Sequence, residues 1–162
     1  MDADEFDAWY EAAFPRIVRQ VHAMTGNEEE ARDCVQEAFI RAWARRRRLD
    51  DARGRDAWVR TTAHRLAVSR WRRHRMDSRA GDRAVGLPVT TDGPDEKRTA
   101  LVEALRRIPE AQRRAIVLHH IADLSVDEVA AETRAPVGTV KARLSRGRAA
   151  LAALLDEGAT HA

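Results

Sequence analysis

Apolar side chains recur every three or four residues along most of this chain, the interval of one helix face, and no stretch alternates as a half-buried strand would. The pattern predicts helices over residues 4–24, 28–47 and 56–75, and again over 97–107, 110–121, 125–133 and 137–155. Thr25-Gly26-Asn27 reads as a helix stop, because Gly takes the left-handed conformation that ends a helix at no steric cost. Glu28, Glu29 and Glu30 then fall in a first turn, where the helix dipole favours carboxylates. Ser125 with Glu128 makes a capping box, and Pro136 closes the short helix that follows. Residues 49–55, Leu-Asp-Asp-Ala-Arg-Gly-Arg, read as an irregular loop.

Between residues 76 and 96 the periodicity stops, and Gly81, Gly86, Pro88, Gly93 and Pro94, with Thr90, Thr91 and Asp92, predict a flexible linker. About 20 extended residues at ~3.3 Å each reach roughly 65 Å. The expected architecture is therefore all-α. Two small helical domains, residues 1–75 and 97–158, flank the linker, and the second is a helix-turn-helix. In that second domain Val126, Val129 and Ala130 give one helix a buried stripe, and Val140 and Leu144 do the same for the next. A helix-turn-helix lays its second helix in the major groove. Thr139, Lys141, Ala142, Arg143 and Arg146 lie off the apolar stripe and are the candidate DNA-facing positions. Arg143 and Arg146 suit bidentate contacts to guanine, Arg148 suits a phosphate, and Gly138 permits close approach to the backbone. The competing reading is a structural helical hairpin with a basic outer face.

Charge sharpens this picture. The net value of +3 conceals a segregation: residues 1–40 carry three basic and ten acidic side chains, residues 41–79 fourteen basic and four acidic, and residues 80–162 twelve of each. A basic strip of that density is a nucleic-acid-grade field, where a merely solvated helix interleaves both signs. The strip includes the helix predicted over 56–75. Val59, Ala63, Leu66 and Ala67 face inward there, while Trp58, Thr61, Arg65, Ser69 and Arg72 share the other side. An aromatic among guanidiniums makes a platform on which single-stranded bases stack. Trp58 as a core anchor is the alternative, and Trp71 fits either face. On the helix over 28–47, Ala31, Cys34, Val35, Ala38 and Ala42 form the core face, with Cys34 as a small buried hydrophobe. Asp33, Gln36, Glu37 and Ile40 lie opposite. An apolar Ile among polar groups, away from the core, suggests a protein-binding patch, with an ordinary solvated face as the alternative.

Other functions are narrowed by composition. The acidic residues Asp2, Asp4 and Glu5 do not suit a signal peptide, no apolar run approaches the ~20 residues of a membrane span, and Cys34 has no second cysteine to pair with. A cytoplasmic location without membrane insertion is expected. An enzyme using metal at His119, His120 and Asp123 is one rival, but adjacent helical histidines point about 100° apart, so one in the core and one in solvent is expected instead. No catalytic residue, metal or cofactor is expected. A stand-alone repressor or activator is the other rival, for which the patch on residues 33–40 has no use.

Three segments together resemble a known family. EEARDCVQEAFIRAW resembles the part of bacterial sigma factors that grips the polymerase clamp, and DAWVRTTAHRLAVSRWRRHR the part that melts and reads the −10 promoter element. LRRIPEAQRRAIVLHHIADLSVDEVAAETRAPVGTVKARLSRGRAAL is similar to the closing domain, which reads the −35 element. Their order, and the linker between them, resemble the extracytoplasmic-function (ECF) group. The resemblance implies that Asp33, Gln36, Glu37 and Ile40 meet the clamp helices of the largest subunit of core RNA polymerase. It implies that Asp51, Arg53 and Arg55, with Trp58, Thr61, Arg65, Ser69 and Arg72, meet the −10 DNA, where a flipped base of the non-template strand is captured. Thr139, Lys141, Ala142, Arg143, Arg146 and Arg148 are the −35 candidates. Sigma factors of this group are commonly held by an anti-sigma protein, so such a partner is an expectation, though no residue here signals one. His64-Arg65, Ser69 and Ala142 depart from the residues common in the family, so no consensus promoter sequence carries over.

Overall fold

The first helix starts where Asp2 and Glu5 cap each other: the Glu5 amide donates to the Asp2 carboxylate and the Asp2 amide to Glu5, both at 2.9 Å. This helix, α1 (Ala3–Thr25), ends as the sequence predicts, at Gly26 with φ 78°. Asn27 then caps α2 (Glu28–Arg45), accepting from the Glu30 amide at 3.1 Å. A single 3₁₀ turn, Arg46–Arg48, finishes the segment that the periodicity carried to residue 47. The computed structural model describes residues 1–77 and 96–160.

The third helix departs from expectation. It is α3 (Ala52–Asp77), so residues 52–55 of the predicted loop are its first turn. Asp51 caps it, with the Gly54 amide donating to Asp51 Oδ2 at 2.9 Å and the Arg55 amide to the Asp51 carbonyl at 2.9 Å. Gly54 suggested a loop because glycine weakens a helix, but a capping carboxylate at the preceding turn offsets that cost of about 1 kcal/mol. At its other end α3 continues through Met76 and Asp77, both placed in the linker by sequence; His74 and Arg75 in the last turn complement the helix dipole. Glu96, the last predicted linker residue, opens α4 (Glu96–Arg106). The rest of the predicted linker, 78–95, lies outside the described residues.

Helices α1, α2 and α3 pack mutually into one unit. Its core joins Ile17 and Val21 of α1, Ala31, Cys34, Val35, Ala38 and Phe39 of α2, and Val59, Ala63 and Ala67 of α3. Phe39 is absent from the stripe of small residues read in the sequence, yet its ring lies 4.8–6.3 Å from those of Phe6, Trp9, Tyr10 and Phe14. Small residues on α2 let its backbone approach its neighbours, and the one large ring fills the space against α1. Cys34 is fully buried, and burial pushes its thiol up to about 11, so it is a protonated core side chain. Asp56 ties the start of α3 to α1, accepting from Trp9 Nε1 and Arg16 Nη1, both at 2.8 Å. Arg60 is buried in α3 and donates to the equally buried Gln20 of α1 at 3.2 Å.

The second unit contains α4, α5 (Glu110–Ile116) with a π-helical turn (Val117–Ile121), α6 (Val126–Thr133) and α7 (Val137–Thr160). The sequence read α5 as regular through residue 121, but the Ala122 amide reaches back to the Val117 carbonyl at 2.9 Å, a spacing of five. The capping box at Ser125 and Glu128 is present, with both bonds at 3.1 Å. Arg134 closes α6 in the left-handed conformation, φ 54°, and the turn to α7 follows. Leu105, Ile116, Leu118, Val129, Val140, Leu144 and Leu151 are buried. Gly147 of α7 lies against α5: a Cβ there would meet Ile116 Cγ1 at 2.9 Å. Gly147→Ala is therefore expected to destabilise this unit, because overpacking at about 1–3 kcal/mol exceeds the gain of about 1 kcal/mol in helix propensity. All four Trp residues belong to the first unit. Urea unfolding should show an early helical transition by circular dichroism while Trp fluorescence is unchanged.

Candidate functional site

Three surfaces gather the residues singled out in the sequence. On α2 the core stripe turns Asp33, Gln36, Glu37 and Ile40 outward, with Ile40 58 % exposed. Their settings differ. Glu37 pairs with Arg41 one turn on at 3.1 Å, and Gln36 Oε1 accepts from the Tyr10 hydroxyl at 2.9 Å, which fixes that side chain against α1. The same face carries a residue the sequence reading missed. Trp43 is 40 % exposed, edge-on to Phe6 at 5.0 Å and covered by the Arg46 guanidinium at 3.9 Å. Its position three residues after Ile40 was the available signal. The surface runs from carboxylates through two apolar side chains to the arginines of the 3₁₀ turn, the composition of an interface with an apolar centre and a polar rim.

On α3, Thr61, Arg65, Ser69 and Arg72 lie away from the buried stripe, with Arg65 and Arg72 exposed. Ser69 Oγ accepts from Arg73 at 3.3 Å. Trp58 is half-buried and packs against the core, with the Arg45 guanidinium 5.9 Å from its ring centre. The strongly exposed aromatic of this helix is Trp71, at 55 %, with Arg75 4.9 Å over its ring. Asp51 acts as the helix cap, and Arg53 is exposed in the first turn. Arg55 is drawn to the other side, its guanidinium 5.1 Å from the Trp9 ring centre. It lines an open groove with Glu5, Arg16, Asp50 and Asp56. The structure thus gathers most of the α3 residues on one basic surface and separates Arg55 from it.

On α7, Val140 and Leu144 are buried as expected, while Lys141 and Arg146 are exposed and Thr139, Ala142 and Arg143 half-buried. A Cβ on Gly138 would meet nothing within 4 Å, so the surface there is open. Arg148 stands beside His120 of the π-helical turn, at 3.5 Å. His119 is half-buried and hydrogen-bonded through Nδ1 to the Leu124 carbonyl at 2.7 Å, while His120 is exposed. Their rings meet edge-on at 4.8 Å. Among the described residues, no three His, Cys, Asp or Glu side chains are grouped to hold a metal ion.

Known proteins share this arrangement. The family model described as Sigma-70 region 2 matches residues 9–76, and that described as Sigma-70, region 4 matches residues 98–151. The ECF RNA polymerase sigma factor SigW of Bacillus subtilis is 31 % identical, across 93 % of this chain and 88 % of that protein. The chain belongs to the ECF sigma factors. The ECF RNA polymerase sigma factor EcfG of Rhodopseudomonas palustris is also 31 % identical, across 89 % of this sigma factor and 81 % of that one. In fold, this sigma factor is similar to the sigma factor RpoE of Bartonella quintana, solved with the anti-sigma factor NepR, at a TM-score of 0.79 and 23 % identity, covering 95 % and 98 % of the two chains. CnrH, solved with the cytosolic domain of CnrY, follows at a TM-score of 0.69 and 21 % identity, covering 96 % and 90 %. The region 2 match contains α2 and all but the last residue of α3, and the region 4 match contains α6 and α7 as far as residue 151, so all three surfaces described above fall inside family segments.

Proposed function

We propose that this sigma factor directs core RNA polymerase to promoters by dividing the work between its two units. The outer face of α2, with Asp33, Gln36, Glu37 and Ile40 and extended by Trp43, docks on the clamp helices of the largest subunit. Helix α3 opens and reads the −10 element with Thr61, Arg65, Ser69 and Arg72, assisted by Asp51, Arg53 and Trp58 at its start, while Arg55, turned onto Trp9, stands apart from that surface. Helix α7 reads the −35 element with Thr139, Lys141, Ala142, Arg143 and Arg146, while Arg148 positions the backbone. The observation that carries this reading is Ile40, 58 % exposed on a helix whose opposite face is fully committed to the core. A side chain of that kind stabilises nothing within its own unit, and a protein partner gives it a role.

No bond is made or broken in this scheme, and the chain acts as an initiation factor, not as an enzyme. Binding to polymerase holds two weak DNA-reading surfaces together, so that the first contact raises the effective concentration of the second. Opening the −10 element costs a few kcal/mol of unstacking, offset when the freed base is trapped. Work in the cytoplasm suits such a factor, and among the described residues no helix is long and apolar enough to cross a membrane. An anti-sigma partner is part of the proposal, since a sigma factor of the same fold was solved with an anti-sigma factor. Run-off transcription with purified core enzyme tests the whole reading. A promoter-specific transcript is expected only when this chain is added, falling steeply with salt. Its absence on a genomic template library from the source organism would defeat the sigma assignment.

A further inference from the structure

In the second unit Arg148, which the −35 reading sets against the DNA backbone, has a neighbour that this reading leaves without a task, His120. In the π-helical turn at the end of α5 the rings of His119 and His120 meet edge-on at 4.8 Å, and His119 is hydrogen-bonded to the Leu124 carbonyl. His120 is thereby presented toward α7, where its Nε2 lies 3.5 Å from Arg148 Nη1. Burial first, then His119 on its own turn and Arg148 on α7, hold its ionisation below the ordinary histidine range. Glu128, which shares the first turn of α6 with Asp127, is turned back onto the Ser125 amide. A guanidinium and an imidazole facing one another complement an anion between or beside them.

The position on α7 says which anion. Lys141 and Arg148 are seven residues apart, about two turns, and so share one flank of the helix, whereas Arg143 lies on the opposite flank. A helix lying in a groove presents its two flanks to the two backbones. We propose that His120 and Arg148 together hold one phosphodiester of the DNA that α7 reads, on the flank shared with Lys141. This rests on the helix-turn-helix reading of α6 and α7. A neutral His120 accepts from Arg148. When protonated, it donates to the phosphate beside Arg148, so duplex binding takes up a proton at this residue.

The test uses the full-length chain and a short mixed-sequence duplex at low salt, with the histidine ring protons followed by NMR through a pH titration. With duplex present, His120 should titrate at higher pH than without it, and R148Q should cancel that displacement. H120Q should weaken duplex binding by about two- to fivefold at about pH 5.5, the range of a solvent-exposed ion pair, and by less at about pH 8. A His120 titration unmoved while the duplex binds would overturn the phosphodiester site and leave the helix-turn-helix reading intact. Displacement by inorganic phosphate alone, with none from the duplex, would also overturn it and point to a free-anion site. A chain that binds no duplex at all would overturn both readings.

Discussion

A variant carrying D33K, Q36K, E37K and I40D should bind core RNA polymerase at least about 100-fold more weakly than the natural chain, and run-off transcription should fall with it. The size follows from the character of the face. Interface energy concentrates in a few desolvated side chains, and loss of about 3 kcal/mol is within the reach of one buried apolar anchor and its rim. In the proposed contact Ile40, 58 % exposed, is that anchor, and an aspartate in its place brings an unpaired charge into it. The same changes should cost the isolated protein little. Asp33, Gln36 and Ile40 are exposed, and what is lost is the exposed Tyr10–Gln36 hydrogen bond and the Glu37–Arg41 surface ion pair, the latter of about 0.2–1 kcal/mol. Competition against a labelled wild-type chain for core enzyme measures the effect, with circular dichroism as the folding control. Undiminished initiation by a folded variant would remove the polymerase contact from α2.

The second large effect is on stability. Phe39→Ala should destabilise the first unit by about 3–5 kcal/mol, the cost of deleting a buried aromatic side chain and leaving its cavity. Four rings of α1 converge on Phe39 within 6.3 Å, so the substitution removes the shared partner of the α1–α2 contact. Of those rings Trp9 reports directly: its fluorescence should shift at lower urea concentration, while the α5–α7 unit, which has no Trp, keeps its own transition. A loss below about 1 kcal/mol would mean that the ring cluster repacks and that the contact between α1 and α2 is carried by the small residues alone.

The helices themselves were legible in the chain because their signals are local. A capping box spans four residues, a glycine stop one, and an apolar stripe recurs within a few turns. Ser125 with Glu128, Gly26, and the Val140/Leu144 stripe are each resolved at that range. The outward placement of residues 33, 36, 37 and 40 follows from the same arithmetic on α2. Where signals conflicted, sequence misled. Residues 49–55 read as an irregular loop, although Asp51 can open a turn or cap a helix and here caps one. Asp2 and Glu5 read as mere acidity, whereas they cap α1 reciprocally.

The chain alone determined the helical class, the division into two units, the basic strip and which face of α2 is spare, since each depends on neighbours within a few turns and on charges that can be counted. Tertiary structure decided what each long side chain does. Trp58 leans on the core while Trp71 stands free of it; Arg55 stacks on Trp9; Phe39, not the small stripe beside it, fills the space against α1; Arg148 stands beside His120. Aromatic and guanidinium groups reach several ångströms from their own backbone and lower their energy against whichever helix packs nearest, and that neighbour is fixed by the fold, not by position along the chain.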